Sequence, residues 1–160
     1  FSENIKMIVS DFDGIFTDNS VYILNENTRL KKLSFKDLMG VAIAVRNNIK
    51  VGIISGEKSA EIDYVAEKFA LEDIHQGIRN KLPVLLEIQE KYGFKDEEIL
   101  YIGDDINDID CLNHVKYAIT VEDANYKVKH LPHIQITKAP AGCGAFREIV
   151  DNMLELKVQE

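Results

Sequence analysis

The stretch Lys6-Met7-Ile8-Val9-Ser10-Asp11-Phe12-Asp13-Gly14 decides how this chain is read. Met7, Ile8 and Val9 are apolar in unbroken succession, as a strand covered on both faces by a parallel sheet's helices requires. The run predicts a central strand over Lys6–Ser10. It stops at two aspartates, which are poor strand residues and must face solvent or a cation. A solvated turn also accounts for Asp-x-Asp-Gly, because Asp and Gly both form turns readily.

Outward from that stretch, short β-rich runs alternate with amphipathic helical ones, the pattern of a parallel sheet with crossover helices. Further strands are expected at Lys50–Ile54, Asp73–Gln76, Ile99–Gly103, Lys116–Thr120 and His133–Ile136. A helix over Ser59–Phe69 places Ile62, Val65, Ala66 and Phe69 in one stripe. Another starts near Asn80, which can cap it, tolerates Pro83 in its first turn and stops at Gly93. The last helix begins near Gly144 and shows Phe146, Ile149, Val150, Met153 and Leu154 on one face. One segment breaks the alternation. Before a helix at Asp37–Asn48 lie two β-like runs, Ser20–Leu24 and Leu30–Phe35, with polar Asn25–Arg29 between them, which predicts a β-hairpin flap over about residues 20–35. A flap there projects over the carboxyl ends of the sheet, where open α/β folds bind ligands. The expected architecture is α/β, a three-layer Rossmann-like fold with a central parallel sheet, in one domain over residues 1–160.

The 160 residues are enough to bury a proper core, and 46% apolar with 29% charged residues is ordinary for a globular protein. A net charge of -8 argues against a nucleic-acid partner, though not against a small phosphate, since one bound cation reverses a local field. No apolar run approaches the roughly 20 residues of a membrane helix, and no signal peptide is visible. Cys111 and Cys143 form no disulfide framework or metal-ligand spacing, and are read as small residues in or near the core of a cytoplasmic protein.

Four pieces carry chemistry. Asp11 and Asp13 are the first. The second, Gly103-Asp104-Asp105-Ile106-Asn107-Asp108, again puts acidic residues straight after an apolar strand. Two carboxylate clusters at neighbouring strand ends repel each other unless a cation lies between them, and oxygen donors of this kind suit Mg²⁺. The third is Ser55-Gly56-Glu57, where a hydroxyl and backbone N–H groups near a helix start could take a phosphate; it is also a common turn. The fourth is Lys81, a solvated lysine on its own, but beside a phosphate a fixed ammonium that neutralises charge in phosphoryl transfer.

The ordered set Asp-x-Asp, Ser-Gly, Lys and Gly-Asp-Asp-x-x-Asp resembles the four motifs of the haloacid dehalogenase superfamily of phosphatases, over nearly the whole chain. The resemblance implies that Asp11 is the nucleophile and Asp13 the proton shuttle. It implies a metal on Asp11, the Asp13 carbonyl and Asp104, with Asp105 and Asp108 acting through water or as orienters of those ligands. Neither usual gap holds a cap domain. Asp11–Asp18, Phe35-Lys36-Asp37 with Gly40, and Gly142–Glu148 are similar to the capless branch that hydrolyses 3-deoxy-manno-octulosonate 8-phosphate and nonulosonate 9-phosphates. By that likeness Thr17, Lys36, Asp37 and Arg147 are candidate substrate contacts, Arg147 being equally an ordinary helix-surface arginine. The branch is commonly tetrameric, with hairpins and C-terminal segments of neighbours closing the site, so a homotetramer is implied. Two residues depart from the pattern. Ala141 stands where a glycine is usual, and Glu57 replaces an arginine, which with Lys68 points toward the nine-carbon acids.

Three other readings compete. A non-catalytic phosphatase-like module, such as those attached to sialic-acid cytidylyltransferases, loses motif carboxylates that are present here. A response-regulator receiver has adjacent acidic residues after its first strand and a late lysine, unlike Asp11-x-Asp13 and Lys81. A phosphoglucomutase-like transferase needs a cap to retain its intermediate.

Overall fold

The computed structural model describes residues 4–154. Its centre is a six-stranded sheet in the order β5-β4-β1-β6-β7-β8, every pair parallel. The strands are β1 (Met7–Ser10), β4 (Lys50–Ile54), β5 (Ile74–His75), β6 (Ile99–Ile102), β7 (Tyr117–Thr120) and β8 (Gln135–Ile136). The helices are α1 (Phe35–Arg46), α2 (Ala60–Phe69), α3 (Lys81–Tyr92), α4 (Ile109–His114), α5 (Tyr126–Lys129) and α6 (Ala145–Leu154). Alternate residues of β1 enter opposite layers. Ile8 packs in the core shared with α1, α2 and α6, while Met7 and Val9 pack in the core shared with α3 and α4. That two-sided burial is why the strand reads as a continuous apolar run. The three-layer α/β expectation holds, and the described residues contain no cap domain. Among them, no helix is long and apolar enough to cross a membrane.

The hairpin is shorter than the sequence predicts. Its strands β2 (Tyr22–Asn25) and β3 (Thr28–Leu30) pair antiparallel across Glu26-Asn27 rather than across Asn25–Arg29. The Asn25 side chain accepts from the Asn27 N–H at 2.9 Å, which closes the turn within two residues. Residues 31–34 are not strand, because Ser34 accepts from the Lys36 N–H and caps α1 two residues earlier than its predicted start. Asn80 stands before α3 but makes no side-chain cap; Gly93 ends that helix in the left-handed region as expected. Helix α5 carries only four residues, too few for a periodic signal. Of the two cysteines Cys111 is buried, whereas Cys143 is exposed, contrary to its reading as a core residue.

Asp37 corrects a second expectation. It is buried in the first turn of α1, and its carboxylate accepts the backbone N–H groups of Gly144, Phe146 and Arg147 at 3.2, 3.0 and 3.3 Å. These are the free donors at the start of α6, so Asp37 caps a helix from another element and has no oxygen left for a substrate. Burial raises its carboxyl above the usual carboxylate range, against those three N–H groups. Beneath the cap, Phe16 lies 5.4 Å from Phe12 and 4.6 Å from Phe146, ring centre to ring centre. Ala141 does not disturb the loop before α6. It avoids positive φ, which falls on Gly142 at +69°, and its N–H donates to Asp123.

Asp37→Ala is expected to lower stability by about 2–3 kcal/mol in urea denaturation, since it strands buried donors, whereas Asp37→Asn keeps an acceptor and loses less. Unchanged stability in the alanine variant would show that α6 does not depend on this cap.

Candidate active site

Strands β4, β1 and β6 lie side by side, and their carboxyl ends carry three of the four motif pieces. Asp11 follows β1, with 7% of its surface exposed. Its Oδ1 accepts from the Phe12 N–H at 2.8 Å and from Lys81 Nζ at 2.9 Å. Lys81, the first residue of α3, is 1% exposed and reaches across to Asp108 Oδ1 at 2.9 Å as well. Asp108 is fully engaged. The Tyr101 hydroxyl donates to Oδ1 at 2.7 Å, and the Asp104 and Asp105 N–H groups donate to Oδ2 at 3.1 and 3.3 Å. Asp108 therefore fixes the lysine and shapes its own loop, a placement that fits an orienter better than a direct ligand.

Carboxylate oxygens of Asp11, Asp104 and Asp108 lie within 4.8 Å of one another, with one ammonium among them. Burial pushes the Asp11 carboxyl up to about 6, the Asp108 charge adding to the effect and Lys81 opposing it. Burial and the adjoining Asp11 push Asp104 further, to about 9. Burial lowers the Lys81 ammonium, but the charges of Asp108 and Asp11 outweigh that, and it ends above its ordinary value. Two carboxyls held so far up are short of positive charge. Hard oxygen donors in a buried cluster fit a divalent cation such as Mg²⁺, with Asp11 and Asp104 as the carboxylates not already consumed. Space is kept for the pair by Gly14: at φ +82°, a Cβ there would fall 1.9 Å from Asp104 Oδ2.

Above the carboxylates is a cavity of about 140 Å³, lined by Asp11, Asp13, Ser55, Gly56, Asp104 and Asp105 among others. Ser55 is buried, and its Oγ accepts from the Glu57 N–H at 3.2 Å. That N–H is thus engaged in the loop itself, whereas the sequence suggested it as a phosphate donor. Glu57 lines both this cavity and a larger one of about 650 Å³ between the flap and the start of α2, lined also by Arg29, Lys31 and Lys58.

The remaining candidates scatter. Thr17 is buried, and its hydroxyl donates to Asp13 Oδ1 at 3.2 Å while accepting from the Gly14 and Asn19 N–H groups. It holds Asp13 and does not face a substrate, which corrects its reading as a contact. Lys68 is exposed on α2 beside Tyr64, and Lys36 is exposed against Gly144. Arg147 pairs with Asp151 at 2.8 Å, one turn along α6, as a helix-surface arginine does. Sequence reading missed Asn19, Asn107 and Lys31. Asn107 lay inside the quoted motif, and Asn19 takes a φ of 69° that Asn tolerates. Nothing local marks Lys31, whose Nζ sits 2.7 Å from Asp13 Oδ2.

The family model described as haloacid dehalogenase-like hydrolase matches residues 53–143. A 3-deoxy-D-manno-octulosonate 8-phosphate phosphatase of Salmonella typhi is 30% identical over 96% of this chain and 81% of its own length. The crystal structure of such a phosphatase from Moraxella catarrhalis, in complex with a magnesium ion, a phosphate ion and a KDO molecule, superposes with a TM-score of 0.90. It is 29% identical, over 96% of this chain and 87% of that one. The cobalt-bound Haemophilus influenzae deoxy-D-mannose-octulosonate 8-phosphate phosphatase gives 0.88 at 27% identity, over 96% of this chain and 89% of that one.

Raised carboxyls bind protons that the unfolded chain has lost, so in metal-free protein stability falls as pH rises from 3.8 toward about 6 for Asp11 and toward about 9 for Asp104. A cation displaces those protons. The rise in melting temperature on adding Mg²⁺ is therefore expected to grow between about pH 5.5 and pH 8.5, as read by thermal unfolding; a rise independent of pH would contradict this electrostatic picture.

Proposed function

This chain belongs to the haloacid dehalogenase-like hydrolases, and we propose that it hydrolyses the phosphate monoester of a 2-keto-3-deoxy sugar acid with Mg²⁺ bound. The observation that carries the reading is the convergence of Asp11, Lys81 and Asp104 below one small cavity whose other wall is Ser55 and Gly56. Asp11 attacks phosphorus, the ester P–O bond breaks, and Asp13 gives its proton to the departing alkoxide. A water molecule then loses a proton to Asp13 and attacks the aspartyl-phosphate, which releases Asp11 and inorganic phosphate. The Ser55 hydroxyl and Gly56 N–H bind phosphoryl oxygens, and Lys81 neutralises charge that develops on them. Mg²⁺, when bound by Asp11, Asp104 and the Asp13 carbonyl, supplies further positive charge to the same oxygens.

The relatives' sugar acid, 3-deoxy-D-manno-octulosonate 8-phosphate, is the first substrate supported. Glu57, which lines both cavities, supports a nonulosonate 9-phosphate as the second, because a carboxylate accepts from sugar hydroxyls where an arginine would bind a carboxylate. A homotetramer belongs to the same reading. The flap exposes Tyr22, Ile23 and Leu24, and beside it Phe35 is 82% exposed, an apolar face suited to another subunit. Lys36, Lys68 and Arg147 then meet sugar only across a subunit boundary.

Phosphate release from the two sugar-acid phosphates, assayed side by side, is expected to require Mg²⁺ and to fall by about 10⁴-fold or more in Asp11→Asn. Turnover that survives this substitution or excess chelator would overturn the mechanism, and preference for a nucleotide would overturn the substrate class alone. Light scattering is expected to give a tetramer that Ile23→Lys with Leu24→Lys dissociates; a monomeric parent would remove the quaternary part.

A further inference from the structure

The flap brings one side chain into the catalytic loop. Lys31, directly after β3, has only 10% of its side chain exposed, and its Nζ lies 2.7 Å from Asp13 Oδ2. Its backbone N–H donates to Glu61 Oε1, in the first turn of α2, at 2.7 Å. One residue thus ties the root of the flap to two separate elements, the loop after β1 and the start of α2. Asp13 is gripped from both sides as a result. Its Oδ2 takes the short contact to Lys31, and its Oδ1 takes the longer one, 3.2 Å, to Thr17, whose own hydroxyl is pinned by two backbone N–H groups.

We propose that Lys31 is a positioning residue for the proton shuttle, holding Asp13 through Oδ2 so that Oδ1 faces the leaving oxygen across the small cavity. This rests on the phosphatase reading above. The contact survives both halves of the reaction. When Asp13 carries a proton on Oδ1, Oδ2 is a carbonyl-type oxygen that still accepts from the ammonium; when the proton has left for the alkoxide, Oδ2 belongs to a carboxylate that accepts it more strongly. An acid held only by the longer contact to Thr17 would be less well aimed between the two steps, and a misplacement of about 1 Å is costly for proton transfer. The flap therefore does more than line the larger cavity: its seating decides whether Asp13 is aimed.

The test exploits the leaving group. An alkoxide leaving from a sugar phosphate needs the proton, whereas p-nitrophenolate leaves without it. In rapid-mixing single turnover, Lys31→Met is expected to slow release of the sugar acid by about 30–100-fold while changing release of p-nitrophenolate by less than about threefold, because only the later hydrolysis of the aspartyl-phosphate, common to both esters, needs Asp13 again. Lys31→Arg, which can still reach Oδ2, is expected to recover much of the loss, and Lys31→Met is expected to add little to Asp13→Asn. Equal losses in the two release steps, a raised KM with kcat intact, or full additivity with Asp13→Asn would overturn the role, leaving Lys31 as a structural tie or a sugar contact. If Lys31→Met does not fold, Lys31→Gln at an unchanged melting temperature supplies the same comparison. A parent inert toward both esters would instead overturn the phosphatase reading, and this inference with it.

Discussion

Three carboxylates and a lysine meet at buried positions, and the site is arranged around that electrostatic conflict. Lys81 donates to Asp11 and to Asp108, which are otherwise like charges in low dielectric. Removing the lysine would leave two buried carboxylates uncompensated, a change that costs about 3–5 kcal/mol when a buried pair is broken. Tyr101 and two backbone N–H groups complete the shell of Asp108, so its orientation does not depend on a ligand. What the lysine cannot neutralise appears on Asp104, whose carboxyl is raised furthest by burial and by the adjoining Asp11.

The sheet explains why the conflict arises at this place. The chain runs from β1 outward to β4 and β5, then returns to lay β6 on the other side of β1. Loops after β1 and β6 therefore diverge from a common crevice, the place where open parallel sheets bind ligands. Asp11 directly follows β1 and Asp104 lies two residues past the end of β6, on the two sides of that crevice, held by a β1–β6 register that pairs Ser10 with Ile102. Helix α3 then delivers Lys81 at its first turn.

Above the crevice, the hairpin takes the place of a cap. Its strands cover little of their own surface, with Ile23 and Leu24 more than 60% exposed. The flap's attachment is polar and specific, through Lys31 to Asp13 and Glu61. Asp37 provides a similar link at the opposite end of the chain, joining α1 to α6 by backbone donors. In both cases a charged side chain sits where the sequence pattern gives no warning, because its partner is a long way off along the chain.

Local order was legible in the residues themselves. The unbroken apolar run before Asp11, the alternation of β and helical segments, and the acidic loops after β1 and β6 named the sheet, its layers and the carboxylates that gather at its edge, because each rests on a period or a spacing inside one segment. Bounds that depend on single hydrogen bonds, such as the two-residue hairpin turn closed by Asn25, shifted by a few residues. Roles that depend on distant partners were not legible. Thr17 and Asp37 carry oxygens fit for a substrate, and only the packed chain decides that those oxygens are taken by Asp13 and by the start of α6. Lys31 is one lysine in a charged flap until folding sets it 2.7 Å from Asp13. A sequence specifies which groups a residue can bond. Which bond it makes is settled by the low-dielectric interior, where each buried polar group must find a partner from whatever element the fold brings within reach.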